Sequence, residues 1–157
     1  RPAGADPIAA CDAVVASMPQ RPTIRHEGGR AYYRPADDSV TMPPTAAFID
    51  GAGYYATLFH ELGHATGHPS RLDRPGITAQ AAFGSDTYSR EELVAEMTAA
   101  FLCGHAGIEP STLENSAAYL AGWIRKLGSE PKLIVDAASA AQKASDFILD
   151  RPAPTYA

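Results

Sequence analysis

The spacing of hydrophobic and polar residues changes along the chain, and the change divides it in two. Near the start the pattern is short and broken. Residues 1–5 read as a loose leader. Asp6 and Pro7 predict a helix start, an N-cap with proline in the first turn. That helix runs to about Met18, where Pro19 and Pro22 end it. Residues 23–27 and 30–34 have strand character. Gly28-Gly29 between them predicts a hairpin with a two-residue turn, because glycine accepts positive φ angles. Residues 35–38 form another turn, and residues 39–42 predict a third strand that Pro43-Pro44 closes.

From there the pattern is helical. One helix is expected over about 53–66, closed by Gly67 and Pro69. Residues 70–87 read as a loop, with Pro75, Gly76 and Gly84 as breakers. Ser89 is expected to open a second helix that reaches about Gly104. Ser111 or Thr112 opens a third, ending at Gly128, with Tyr119, Leu120, Trp123, Ile124 and Leu127 at helical spacing. Pro131 opens a fourth, carrying Leu133, Ile134 and Val135, then Phe147, Ile148 and Leu149. Strands followed by helices predict an α+β fold, with a small antiparallel sheet packed against helices.

Composition narrows the class. A chain of 157 residues suits one domain. With 45% hydrophobic and 20% charged residues it can bury a core, which excludes wholesale disorder. The formal charge of -5 argues against holding nucleic acid through its phosphates, since that affinity comes from clustered cations. Cys11 and Cys103 follow no metal or redox spacing, so reduced thiols and a cytoplasmic location are expected. No apolar run approaches the roughly 18 residues of a membrane span, so no membrane partner is expected. The chain begins at Arg1, not Met, so a mature form or a fragment, the C-terminal part of a longer protein, is expected.

The chemistry concentrates in one place. Residues 60–68 read His60-Glu61-Leu62-Gly63-His64-Ala65-Thr66-Gly67-His68 and hold three of the five histidines. This contains HExxH. Helix positions four apart share a face, so two imidazoles can converge on one metal ion. Zinc suits two imidazoles and a carboxylate, with the fourth position left to a water whose proton the adjacent Glu61 accepts. Tyr55, Leu58, Phe59 and Leu62 fall on the opposite arc, which can pack into a core.

The third ligand is less direct. A pattern HExxHxxGxxH would need histidine where Ser70 stands. His68 lies two helical turns from His60, roughly 12 Å along the axis, which suits a hydrogen-bonding role. The next expected helix offers Glu92 and Glu96, four apart on one face. One can bind zinc while the other accepts the N–H of a ligand histidine. Ser89-x-x-Glu92 also fits a capping box, which would leave Glu96 as the ligand. Glu92 as ligand and Glu96 behind it is the favoured assignment.

The runs 54–68, 71–74 and 88–96, with Ala31-Tyr32-Tyr33, Met42-Pro43, Ala118-Tyr119 and Trp123 around them, resemble the zincin metallopeptidase domain of ArdC-like antirestriction proteins. The same domain occurs in related polyvalent proteins of conjugative plasmids and phages. The resemblance covers nearly the whole chain. Ala65 stands where the family often has an aromatic residue, a departure away from the metal. Membership implies a gluzincin-like site of His60, His64 and a downstream Glu. It also implies a role in protecting incoming plasmid DNA from host restriction. In full-length members a separate N-terminal domain binds single-stranded DNA.

The remaining candidates are weaker. Tyr88 is the first choice to stabilise an oxyanion. Arg71 and Arg74 can hold a carboxylate by bidentate contact or form structural salt bridges. His26 and His105 lack spacing partners, and Cys103 reads as buried. The function expected is therefore hydrolysis of a peptide or protein substrate by a zinc-bound water, with a host restriction component as the partner the family implies. The alternative is a metal-stabilised module that blocks restriction by binding alone.

Overall fold

Two helices run antiparallel through the centre of the protein and carry every residue of the HExxH region and its acidic partners. The computed structural model describes residues 6–79, 82–83, 85–109, 118, 121–122, 124–125, 128 and 130–152. In chain order these form α1 (Ala9–Ser17), β1 (Thr23–His26), β2 (Tyr32–Arg34), β3 (Ser39–Met42), a 3-10 turn (Thr45–Ala47), α2 (Gly51–Ala65), α3 (Pro75–Thr78), α4 (Asp86–Ala106) and α5 (Pro131–Ile148). The expected third helix, with Tyr119 and Trp123, lies largely outside the described residues. Among the described residues no helix is long and apolar enough to cross a membrane.

The fold class is α+β, as the order of elements predicts, but the sheet is mixed rather than antiparallel. Its strand order is β1-β3-β2. β1 pairs parallel with β3, Thr23 opposite Ser39 and His26 opposite Met42. β2 pairs antiparallel with β3, Tyr32 opposite Thr41 and Arg34 opposite Ser39. The hairpin expected across Gly28-Gly29 does not form, because β3 lies between its two strands. Burial explains the choice. All four residues of β3 are buried, while β1 and β2 are mostly exposed, so β3 takes the centre. A type I′ turn needs two residues at positive φ, and only Gly28 of the pair adopts it. The hairpin that does form joins β2 to β3 through residues 35–38, with Asp38 at φ 51°.

Helix boundaries also shift. α1 begins at Ala9 behind Ile8, not at an Asp6 cap. α2 starts earlier than its period suggests, because the Asp50 side chain accepts from the Gly53 amide at 2.8 Å. α4 starts a full turn before Ser89: Ser85 is the N-cap, accepting from the Tyr88 amide at 3.1 Å. The expected loop over 70–87 contains α3.

The core explains how α4 is placed. One buried cluster joins α1, β3 and the apolar arc of α2, through Phe59, Leu62 and Met42, to Leu102 and Cys103 of α4. A second joins Leu93 and Val94 of α4 to Ala137 and Ala141 of α5. α4 is therefore packed on two sides. Its approach to α2 depends on Gly63, where a Cβ would come within 3.2 Å of the Thr98 Cβ and 3.3 Å of the Ala95 Cα. The small side chains at these positions bring the acidic face of α4 to the histidine face of α2. Cys11 and Cys103 are buried free thiols.

Candidate metal centre

Because α2 and α4 run in opposite directions, a step of four residues along one matches a step of four back along the other. His60 therefore meets Glu96, and His64 meets Glu92. The His60 Nδ1–H donates to Glu96 Oε2 at 2.7 Å, and its Nε2 lies 3.5 Å from Glu92 Oε2. The His64 Nδ1–H donates to Glu91 Oε2 at 2.9 Å, and its Nε2 lies 3.1 Å from Glu92 Oε1. Each imidazole thus has one nitrogen held by its own carboxylate and the other facing Glu92. The two rings are 4.8 Å apart between centroids and nearly perpendicular. A histidine whose Nδ1–H is held by a carboxylate can turn Nε2 to a metal, which would take the place of the Nε2 proton that here faces Glu92.

Glu61 completes the group. Ligand-capable atoms of His60, Glu61 and His64 lie within 4.8 Å of one another. Glu61 is buried, and its Oε2 has no hydrogen-bond partner. Burial pushes its carboxyl above the usual range, more than the two nearby imidazoles pull it down. Burial works against protonation of the imidazoles, but hydrogen bonds to carboxylates outweigh it. His60 is pushed up to about 10 by Glu92 and Glu96. His64 is pushed up to about 9 by Glu91 and Glu92. Burial would raise Glu92, yet the two imidazoles hold it far below the carboxylate range. The donor set is two imidazoles and a carboxylate, with a further buried acid beside them. That set fits a divalent ion of the zinc class.

Some expectations need correction. Ser89 is not a cap: it sits inside α4, fully buried, with its hydroxyl unpartnered. The capping-box alternative for Glu92 thereby loses its basis, because the helix end lies at Ser85. Sequence reading missed Glu91 altogether. It stands next to Glu92 but about 100° around the helix, so face-sharing arguments pass over it. The signal available was three acids within six residues of one helix, more than a two-histidine site needs.

Arg71 and Arg74 separate in space. The Arg71 guanidinium donates to both oxygens of Asp38 at 2.8 Å and to the Gln20 and Ala65 carbonyls. Among the described residues it makes no hydrogen bond to His60, His64 or the acids beside them. Arg74 donates to both oxygens of Glu91, at 2.9 and 3.1 Å. It also donates to the Gly63 carbonyl at 2.7 Å and Thr66 Oγ1 at 2.6 Å.

Tyr88 lies one helical turn before Glu92 and packs on Phe83, ring centroids 5.0 Å apart. Burial, then the Glu92 charge, raises its phenol, so it remains a donor at neutral pH. His68 is away from the metal group and bonds Ser70 Oγ at 2.8 Å. His26 pairs with the Tyr54 hydroxyl at 2.7 Å, and His105 with Arg151 at 3.1 Å. Burial, then Cys11 and Glu96, pushes the Cys103 thiol up to about 12, which makes it inert.

Comparison with known proteins agrees with this geometry. A family model described as zincin-like metallopeptidase matches residues 10–140. The chain is 42% identical over 125 residues to the uncharacterized protein y4eC of Sinorhizobium fredii, covering 80% of this chain and 40% of y4eC. It is 46% identical over 128 residues to the DNA primase TraC of Escherichia coli, covering 81% of this chain and 12% of TraC. Among solved structures it is similar to the antirestriction protein ArdC of plasmid R388, in Mn(II)-bound and metal-free forms. Identity is 42% and the TM-score 0.73, over 96% of this chain and 54% and 53% of the ArdC chains. The chain thus spans well under two thirds of each of these relatives.

Proposed function

This chain belongs to the zincin-like metallopeptidase family, and on that footing we propose that it is a zinc-dependent peptidase domain serving an antirestriction protein. His60, His64 and Glu92 would hold the metal, Glu61 acts as general base, and Glu96 orients His60. One observation carries this reading: both Nε2 atoms face one carboxylate, while each Nδ1 is bound to a different one. A bound zinc ion supplies a Lewis acid and lowers the pKa of water at the site.

The protein groups have separable tasks. Glu61 accepts the proton of the attacking water at its carboxylate and passes it to the leaving amine. Burial strengthens it as a base. Its unpartnered Oε2 is free for that role. The Tyr88 phenol, still protonated at neutral pH, donates to the oxyanion that develops on the substrate carbonyl. Glu96 holds the His60 proton on Nδ1, so the ring keeps its orientation through the cycle.

The antirestriction role rests on likeness to ArdC, the peptide or protein substrate on the metallopeptidase family, and a component of the host restriction system is the partner proposed. The 157 residues act as one domain of a longer cytoplasmic protein, and single-stranded DNA is left to other parts of it, consistent with the acidic charge. The test is metal content of the purified protein together with a peptide-library screen, run on the natural sequence and on Glu61→Gln. Zinc in both proteins and cleavage only by the natural one is the expected result. If Glu61→Gln also keeps full protection against restriction in cells, proteolysis is not the antirestriction mechanism.

A further inference from the structure

We propose that Arg74 is a positioning residue for His64: acting through Glu91, it fixes the imidazole proton on Nδ1 and leaves Nε2 for the metal. The inference rests on the proposed role of His64 as a ligand.

The argument begins with the Glu91 carboxylate. Its Oε2 accepts both the His64 Nδ1–H at 2.9 Å and an Arg74 N–H at 3.1 Å. Its Oε1 accepts the Arg74 Nε–H at 2.9 Å. A guanidinium fork binding both oxygens fixes the plane of the carboxylate as well as its position. That plane decides where the lone pair facing His64 points. The carboxylate held in this way is buried, its side chain 6% exposed, so water competes little for either oxygen.

Arg74 is itself aimed from the histidine helix. It donates to the carbonyl of Gly63, the residue before His64, and to the Thr66 hydroxyl just after the helix ends. One guanidinium therefore bridges the histidine's own helix and the histidine's partner on α4. The fit is close on the far side as well. A Cβ at Gly76 would lie 2.6 Å from Glu91 Cβ and 2.8 Å from its Cγ, so α3 presses a bare backbone against the Glu91 stem. Glu91 has little freedom to swing away. Glu96, which holds the other histidine, is more exposed at 19%.

The experiment compares Arg74→Met, Arg74→Lys and Glu91→Gln with Arg71→Met as a control from the same turn. Two quantities are read: zinc affinity by chelator competition, and the exchange-protected Nδ1–H proton resonance of His64. Arg74→Met and Glu91→Gln are expected to weaken zinc about 10–100-fold and to shift or broaden that resonance. Arg74→Lys restores the charge but not the fork and should fall between. Arg71→Met should lower stability and leave both readouts unchanged. Glu91→Gln keeps the Arg74 bonds to Gly63 and Thr66, so it carries the test if Arg74→Met does not fold. Unchanged zinc affinity with an unchanged resonance in Glu91→Gln would overturn the proposal. So would an equal loss of zinc affinity in Arg71→Met. A natural protein that takes up no zinc would instead refute the metal centre, and the Nδ1–H resonance would still decide the role of Arg74.

Discussion

Arg71 and Arg74 leave the same turn three residues apart, and each grips a carboxylate with both arms of its guanidinium. Their destinations differ. Arg71 turns toward the sheet, where Asp38 in the β2–β3 turn and the Gln20 carbonyl before β1 receive it. Arg74 turns toward α4 and reaches the acid that holds His64. The Arg71 side chain is 1% exposed and that of Arg74 11%, so burial does not distinguish them. What distinguishes them is the next contact. One network ends in backbone carbonyls and a turn, and so holds the frame. The other ends in an imidazole of the proposed metal centre. The same pairing chemistry can serve stability or function, depending on which element packs above it.

Five substitutions would break or sharpen that contrast. On the metal side the largest effect should come from Glu61→Gln, which removes the proposed base and keeps the shape. Its kcat on a cleaved peptide should fall about 100–10,000-fold, with zinc content and thermal midpoint unchanged; loss of zinc instead would make Glu61 a ligand. Next come the two acids of α4. Glu92→Ala should empty the site, whereas Glu96→Ala should keep zinc with affinity reduced about 10–100-fold. Metal stoichiometry after dialysis reads the difference, and the reverse order would exchange their roles. Circular dichroism should show both helices intact, because alanine is the best helix former.

On the frame side, Arg71→Met should cost about 3 kcal/mol of unfolding free energy, the low end for breaking a buried pair, since Asp38 stays partly solvated. Urea unfolding measures it. The smallest effect is the acid dependence of Asp38. Burial would raise its carboxyl, but the Arg71 and Tyr33 hydrogen bonds outweigh burial and lower it. A depressed carboxylate contributes stability that is fully present above its unfolded pKa of about 3.9 and lost as pH falls through its folded value. Asp38→Asn should therefore flatten the acid limb of the urea midpoint against pH. An unchanged limb would mean that Arg71 is held by its carbonyl partners alone.

Much of this contrast was hidden in the sequence for definite reasons. The strands were visible as segments but not in their pairing. Gly28-Gly29 is a fair local signal for a hairpin, and burial of β3 overrode it. Ser89 had the right neighbours for a cap, yet Ser85 lay one turn upstream with the same chemistry and α4 began there. Arg71 and Arg74 were equivalent as letters, each a cation near the end of the histidine helix.

The sequence by itself determined whatever depends on period and local chemistry. Spacing of four put His60 and His64 on one face of a helix, and Glu92 and Glu96 on one face of another. The apolar arc of α2 and the α+β order of elements follow from the same periodicity. Only the tertiary structure decided which nitrogen of each histidine meets which acid. That depends on the antiparallel crossing of α2 and α4, set by close contact at Gly63, Ala95 and Thr98. It also depends on the turn after α2, which sends Arg71 to the sheet and Arg74 to Glu91. These contacts join residues up to 51 positions apart, and no local pattern encodes a distance that packing alone establishes.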